Sequence, residues 1–130
     1  MNHPDDLIHP NNLMLYVDSP ELSAVFYSEL LGIRPVEQSS TFVLFILQSG
    51  LKLALWSKHT VIPSPTASGG GFELSMRVNS VSQVNELYEK WREIAPKILM
   101  EPAQLDFGWS FVIADPDGHR LRVYALSEGA

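Results

Sequence analysis

NLMLYVDSPELSAVFYSELLGI, residues 12–33, is answered later in the chain by ELSMRVNSVSQVNELYEKWREI, residues 73–94. Adding 61 to Val17, Ser19, Tyr27 and Ile33 lands on Val78, Ser80, Tyr88 and Ile94. Each stretch opens with alternation of period two and passes into a helical pattern. In the first, Leu13, Leu15 and Val17 point one way, while Asn12, Met14 and Tyr16 point the other. Ser19 or Asp18 caps the helix that follows, Pro20 suits its first position, and Gly32 ends it. Its expected buried stripe is Leu22, Val25, Phe26, Leu30 and Ile33. A repeated strand–helix unit can enclose a pseudo-symmetric cavity, and residues at matched positions then decide what the cavity holds.

Outward from these stretches, 41–47 and 51–56 read as strands joined by a turn at Ser49-Gly50. Residues 58–71 break the pattern with Pro63, Pro65 and the run Gly69-Gly70-Gly71, and read as a flexible linker. After the second helix come a short strand near 98–101, a strand over 109–114 and a last strand over 119–126. Between these two lies the turn Asp115-Pro116-Asp117-Gly118, where Pro116 fixes φ and Gly118 accepts a positive one. The expected architecture is α+β in a single domain of 130 residues. A first module spans 12–57, a linker 58–71 and a second module 72–126.

Composition excludes several functions. The net charge of −6 leaves no basic footprint for nucleic acid. The absence of cysteine excludes disulfides, zinc–thiolate sites and thiol catalysis, and agrees with a reducing cytoplasm. No apolar run reaches the roughly 18 residues of a membrane span. The start of the chain, MNHPDDLIHPNN, is acidic and proline-bearing rather than basic and then apolar, so it does not read as a signal peptide. Its first ten or so residues are expected to be loosely held. His3, His9, His59 and His119 read as surface histidines rather than catalytic ones. The glycine run lacks the lysine and serine of a phosphate loop.

LYVDSPELSAVFYSELLGI near the start and FVIADPDGHRLRVY near the end resemble the vicinal oxygen chelate superfamily, which contains glyoxalase I, extradiol dioxygenases, and fosfomycin- and bleomycin-resistance proteins. The resemblance spans residues 12–126. It implies paired βαβββ modules that form a curved eight-stranded mixed sheet around a cavity, with helices on the outer face. It also implies a homodimer, in which the paired modules commonly come from different chains.

In metal-using members of that superfamily, a side chain near the start of each module's first strand and one in its last strand hold a divalent cation. Carried over by strand register, those positions fall on Asn12, Ala54, Glu73 and Arg122. One carboxylate, one amide, one methyl and one permanent cation make a poor set of donors. Neither a metal nor another cofactor is therefore expected, nor any catalytic residue. The metal-free relatives hold drugs without destroying them, and LKLALWSK together with FGWSFVIADPDGHRLRVYAL most resembles the phenazine-resistance type.

The residues agree with that reading. On the face opposite the helix-facing leucines stand Tyr16, Trp56 and Tyr124, with Asn12, Glu73, Ser75 and Arg122. On strand 109–114, either Trp109 and Phe111 or Ser110 and Val112 face the same way. A planar aromatic ligand could stack on Trp56 or Trp109, and a carboxylate on it could meet Arg122. Burying roughly 300 Å² of such a ligand gives on the order of 7 kcal/mol before association costs, enough for micromolar binding. The plainer alternatives are aromatic sheet packing for Trp56 and Tyr16, and a structural ion pair for Glu73 and Arg122. The rival function is a lyase or dioxygenase with an atypical metal site.

Overall fold

The alternation in both halves is realised as strands. In the computed structural model, which describes residues 8–127, β1 (Asn12–Val17) leads into α1 (Pro20–Leu31). Then follow β2 (Glu37–Gln38), β3 (Phe42–Ile46) and β4 (Lys52–Ser57). The second module repeats the order with β5 (Glu73–Arg77), α2 (Val81–Trp91), β6 (Lys97–Gln104), β7 (Gly108–Ala114) and β8 (Arg120–Leu126). The expectation for the first residues of the chain lies largely outside the described residues, and His3 wholly so. No helix among the described residues is long and apolar enough to cross a membrane.

The eight strands hydrogen-bond as two four-stranded mixed sheets, β1-β4-β3-β2 and β5-β8-β7-β6. In each, the first strand runs parallel to the last and the others pair antiparallel. The two orders match strand for strand, so the repeat in sequence is a repeat in topology.

Ser19 and Ser80 cap the helices, each accepting a hydrogen bond from the backbone N–H three residues on. Gly32 closes α1 in the left-handed region. The phase of α1 differs from the expected one. Leu22 and Val25 are 68% and 56% exposed, while Ser23, Ala24, Tyr27 and Leu30 are buried. Small side chains at 23 and 24 let the helix lie close to the sheet. Tyr27 is held inward because its hydroxyl donates to Asp115 Oδ2 at 2.7 Å.

Leu15, Val17, Tyr27, Phe45, Leu53 and Leu55 of the first module join Val84, Phe111, Ile113, Leu121 and Val123 of the second in one buried cluster. Each such side chain contributes about 1.5–3 kcal/mol on burial. The turn between β7 and β8 clasps the first module. Asp117 Oδ1 accepts from the Asp18 amide at 2.9 Å, and His119 Nε2 donates to the Tyr16 carbonyl at 3.0 Å. Asp115 Oδ1 meanwhile accepts from the amides of Asp117 and His119, and Gly118 takes the expected positive φ. His119 is buried, which corrects its reading as a surface residue. A polar ring nitrogen can be buried there because a carbonyl waits for it.

The glycine run is likewise not a free hinge at its start. A Cβ on Gly69 would stand 2.7 Å from the His119 amide nitrogen and 2.8 Å from the Asp117 carbonyl oxygen. Gly69 is needed where the linker presses on the β7–β8 turn.

Candidate functional site

Register decides which side chains leave the core. Across β7 and β8, Ser110 lies opposite Tyr124 and Val112 opposite Arg122, and across β5 and β8 Ser75 lies beside Arg122. Ser75, Ser110, Val112, Arg122 and Tyr124 therefore share one face of the second sheet. Trp109 and Phe111 have the other parity. Trp109 Nε1 donates to Asn85 Oδ1 on α2 at 2.8 Å, and the Phe111 ring packs edge-on against Tyr88 and Trp91 of the same helix. Of the two alternatives open for this strand, Trp109 and Phe111, counted among the expected ligand contacts, lie on the helix side, and Ser110 and Val112 follow Arg122.

On this open face, Arg122 Nε donates to Glu73 Oε2 at 2.6 Å, and Nη1 donates to Ser110 Oγ at 2.9 Å. Ser75 Oγ also donates to Glu73 Oε2, at 3.0 Å. Partial burial pushes the Glu73 carboxyl up. The hydrogen bonds from Arg122 and Ser75, with the charges of Arg122 and Arg120, outweigh this and hold it below the usual carboxylate range. The guanidinium carbon lies 5.9 Å from the centre of the Phe107 ring, which itself meets Tyr124 edge-on at 5.4 Å. Glu73, Ser75, Phe107, Arg122, Tyr124 and Leu126 line a pocket of about 390 Å³.

The first sheet presents a different surface. Tyr16, Trp56 and Phe42 stand in register across β1, β4 and β3, with Trp56 edge-on to each of the other two at 6.4 Å. Met14, Tyr16 and Ile46 on this face are exposed. Asn12 is exposed at the start of β1. The pocket that Arg122 lines does not include Trp56.

The space between the two modules is lined mainly by the opposite faces, together with Glu73 and Ser75 of the edge strand β5. Leu13 and its repeat partner Leu74, with Leu53 and Leu121, look into a cavity of about 610 Å³. Of the nine side chains expected to bind ligand, Glu73, Ser75, Arg122 and Tyr124 are brought together. Tyr16 and Trp56 form a second group, and Asn12, Trp109 and Phe111 join neither. Phe42 and Phe107, which border these two groups, were not among the expected residues. Phe42 shares the parity of Trp56 through strand pairing and could have been found; Phe107 sits in a loop with no periodic signal.

The positions that would carry a metal hold Asn12, Ala54, Glu73 and Arg122, and Glu73 is already engaged by the guanidinium. No group of three or more His, Asp or Glu side chains is disposed to bind a metal ion among the described residues. This donor set does not fit a divalent cation.

Comparison with known proteins agrees with the architecture. The glyoxalase/bleomycin resistance protein/dioxygenase superfamily matches over residues 9–123. The chain is 30% identical over 124 residues to the phenazine antibiotic resistance protein EhpR of Enterobacter agglomerans, covering 92% of this chain and 93% of that one. It is 49% identical to protein ATC0852 of Agrobacterium tumefaciens, whose solution structure superposes with a TM-score of 0.82 over 93% of this chain and 99% of the other. A glyoxalase-related enzyme from Fulvimarina pelagi shares the fold at 24% identity, with a TM-score of 0.81 over 92% of this chain and 88% of its own. The chain belongs to the glyoxalase/bleomycin resistance protein/dioxygenase superfamily.

Proposed function

We propose that this protein binds and sequesters a planar aromatic small molecule, an antibiotic of the phenazine kind, without a metal and without turning it over, and so protects the cytoplasm that contains it. The observation that carries the reading is Arg122. A permanent cation stands in the metal-bearing register, paired with Glu73 and walled by Phe107 and Tyr124. Such a pocket offers ring edges for stacking and guanidinium N–H groups for an acceptor on the ligand. Two of the five guanidinium donors are used within the described residues. The relative named for phenazine resistance supports the ligand class.

A homodimer completes the site. The aromatic row Tyr16–Trp56–Phe42 is the natural second wall for a flat ligand, yet it does not border the pocket that Arg122 lines within one chain. A second copy, with modules exchanged or simply apposed, brings its row over the Arg122 face. A ligand then lies between Trp56 of one protomer and Arg122 of the other. Titration of the purified protein with a panel of phenazines and quinoxalines, followed by tryptophan fluorescence, tests this. Saturable quenching that Trp56→Ala abolishes is the expected result. The absence of quenching across the panel would refute the reading.

A further inference from the structure

The cavity between the modules is larger than the open-face pocket and has a different chemistry. At about 610 Å³ it falls within the roughly 300–1,000 Å³ of small-molecule sites. Its walls come from matched positions of the repeat, Leu13 with Leu74 and Leu53 with Leu121, joined by Leu31 and Met76. Leu13, Leu31, Leu74 and Met76 remain only partly buried. The space is a cleft open to solvent on one side, with Phe72 and Gln48 exposed at it. A space this large between leucines is suited to hydrocarbon.

The polar lining consists of Gln48, Glu73 and Ser75. Glu73 is the one ionisable group among them, and it also borders the Arg122 pocket. Its Oε2 is taken by Arg122 and Ser75, while Oε1 accepts no hydrogen bond from the described residues. An anionic head would bring only acceptors to an acceptor. A cationic head would lose its hydration beside a carboxylate already paired, in a cavity otherwise apolar. A hydroxyl can donate to Oε1 without either cost. We propose that this cavity is a second small-molecule site, for an uncharged amphiphile with a hydrocarbon body and a hydroxyl head at Glu73.

The site is independent of the open-face reading, and its test separates the two. The full chain is titrated with N-phenyl-1-naphthylamine, an uncharged apolar fluorophore. Saturation at one probe per chain is expected, with 1-decanol displacing it at about a tenfold lower concentration than decanoate at pH 8. Leu74→Trp and Leu51→Trp, which put bulk into the cavity, each weaken the probe about tenfold or more. Trp56→Ala leaves it within about twofold. Leu51 precedes β4 in the β3–β4 turn, so its variant keeps the test alive should Leu74→Trp fail to fold. Phenazine quenching measured with decanol at saturation remains unchanged.

Unsaturable probe signal overturns the proposal. So does weakening by Trp56→Ala in place of the leucine variants, which would put the probe on the open face. Equal displacement by decanoate would remove the role of Glu73. Loss of probe binding as the chain self-associates would put a second copy in the cavity.

Discussion

Arg122 Nε and Glu73 Oε2 meet at 2.6 Å across the parallel strands β5 and β8, with the guanidinium side chain 17% exposed and the carboxylate side chain 32%. One pair thus occupies two of the four positions at which relatives would hold a cation. It orients the guanidinium toward Phe107 and Ser110. The same pair makes the pocket sensitive to acid. Glu73 has a native pKa below its ordinary value of 4.5, so the stability it contributes is complete above that value. That stability is lost as pH falls through the depressed native pKa. Glu73→Gln is therefore expected to cost about 1 kcal/mol at pH 7, after discounting for solvent access. The difference between variant and parent in urea unfolding narrows below pH 4.5. A difference that stays constant with pH would contradict the pair's role.

Asp115 behaves in the opposite sense. Burial pushes its carboxyl up, and hydrogen bonds from Tyr27 and from the His119 and Asp117 amides, with the His119 charge, oppose this without cancelling it. A raised native pKa means that the folded state holds this proton more tightly than the unfolded state. Its contribution is largest below the ordinary value of 3.8 and falls away as pH rises through the native pKa. Tyr27→Phe removes the one hydrogen bond to Oδ2 and leaves a buried carboxylate oxygen unpaired. A loss of about 1–3 kcal/mol is expected at pH 7. The loss shrinks as pH falls and Asp115 takes up its proton. Thermal unfolding of parent and variant followed from pH 7 down to pH 3 checks both signs.

Gly69→Ala tests whether the linker is a fixed part of the fold. The added methyl would meet backbone of the β7–β8 turn at 2.7–2.8 Å, and backbone cannot swing aside as a side chain can. We expect a loss of about 1–3 kcal/mol. Gly71→Ala, with nothing within 4 Å, is the matched control and should change stability little. Equal effects of the two would mean that the linker does not rest on the turn.

Arg122→Ala separates ligand recognition from structure. If the guanidinium meets an acidic group on the ligand, phenazine carboxylates lose at least about tenfold in affinity, on the order of 1.4 kcal/mol, and uncharged phenazines lose less. Equal loss for both, measured by calorimetry, would assign Arg122 to holding the face together rather than to the ligand.

The strand–helix repeat was legible because alternation and capping residues are local signals, and the structure places β1, α1, β5 and α2 where they pointed. The phase of α1 was not legible. Leu22, Val25, Phe26, Leu30 and Leu31 surround that helix with apolar side chains, so the pattern alone names no inner face. The orientation of β7 was hidden for a related reason. Trp109, Phe111 and Ile113 alternate with Ser110, Val112 and Ala114, and only pairing with β8 shows which set follows Arg122 outward. The Glu73–Arg122 pair was within reach because both residues lie on strands that the repeat aligns. The arrangement of the modules was not. Leu13 and Leu53 match Leu74 and Leu121 in character, and nothing in such a pattern tells which faces meet across the seam.

The proposed site binds a flat organic molecule with a guanidinium in place of a metal. Calorimetric titration of chelator-treated protein with a phenazine carboxylate tests it most directly. Saturable micromolar binding is expected that survives the chelator, is reduced by Arg122→Ala and by Trp56→Ala, and leaves the ligand chemically unchanged. Binding or turnover that appears only when a divalent cation is restored would contradict it.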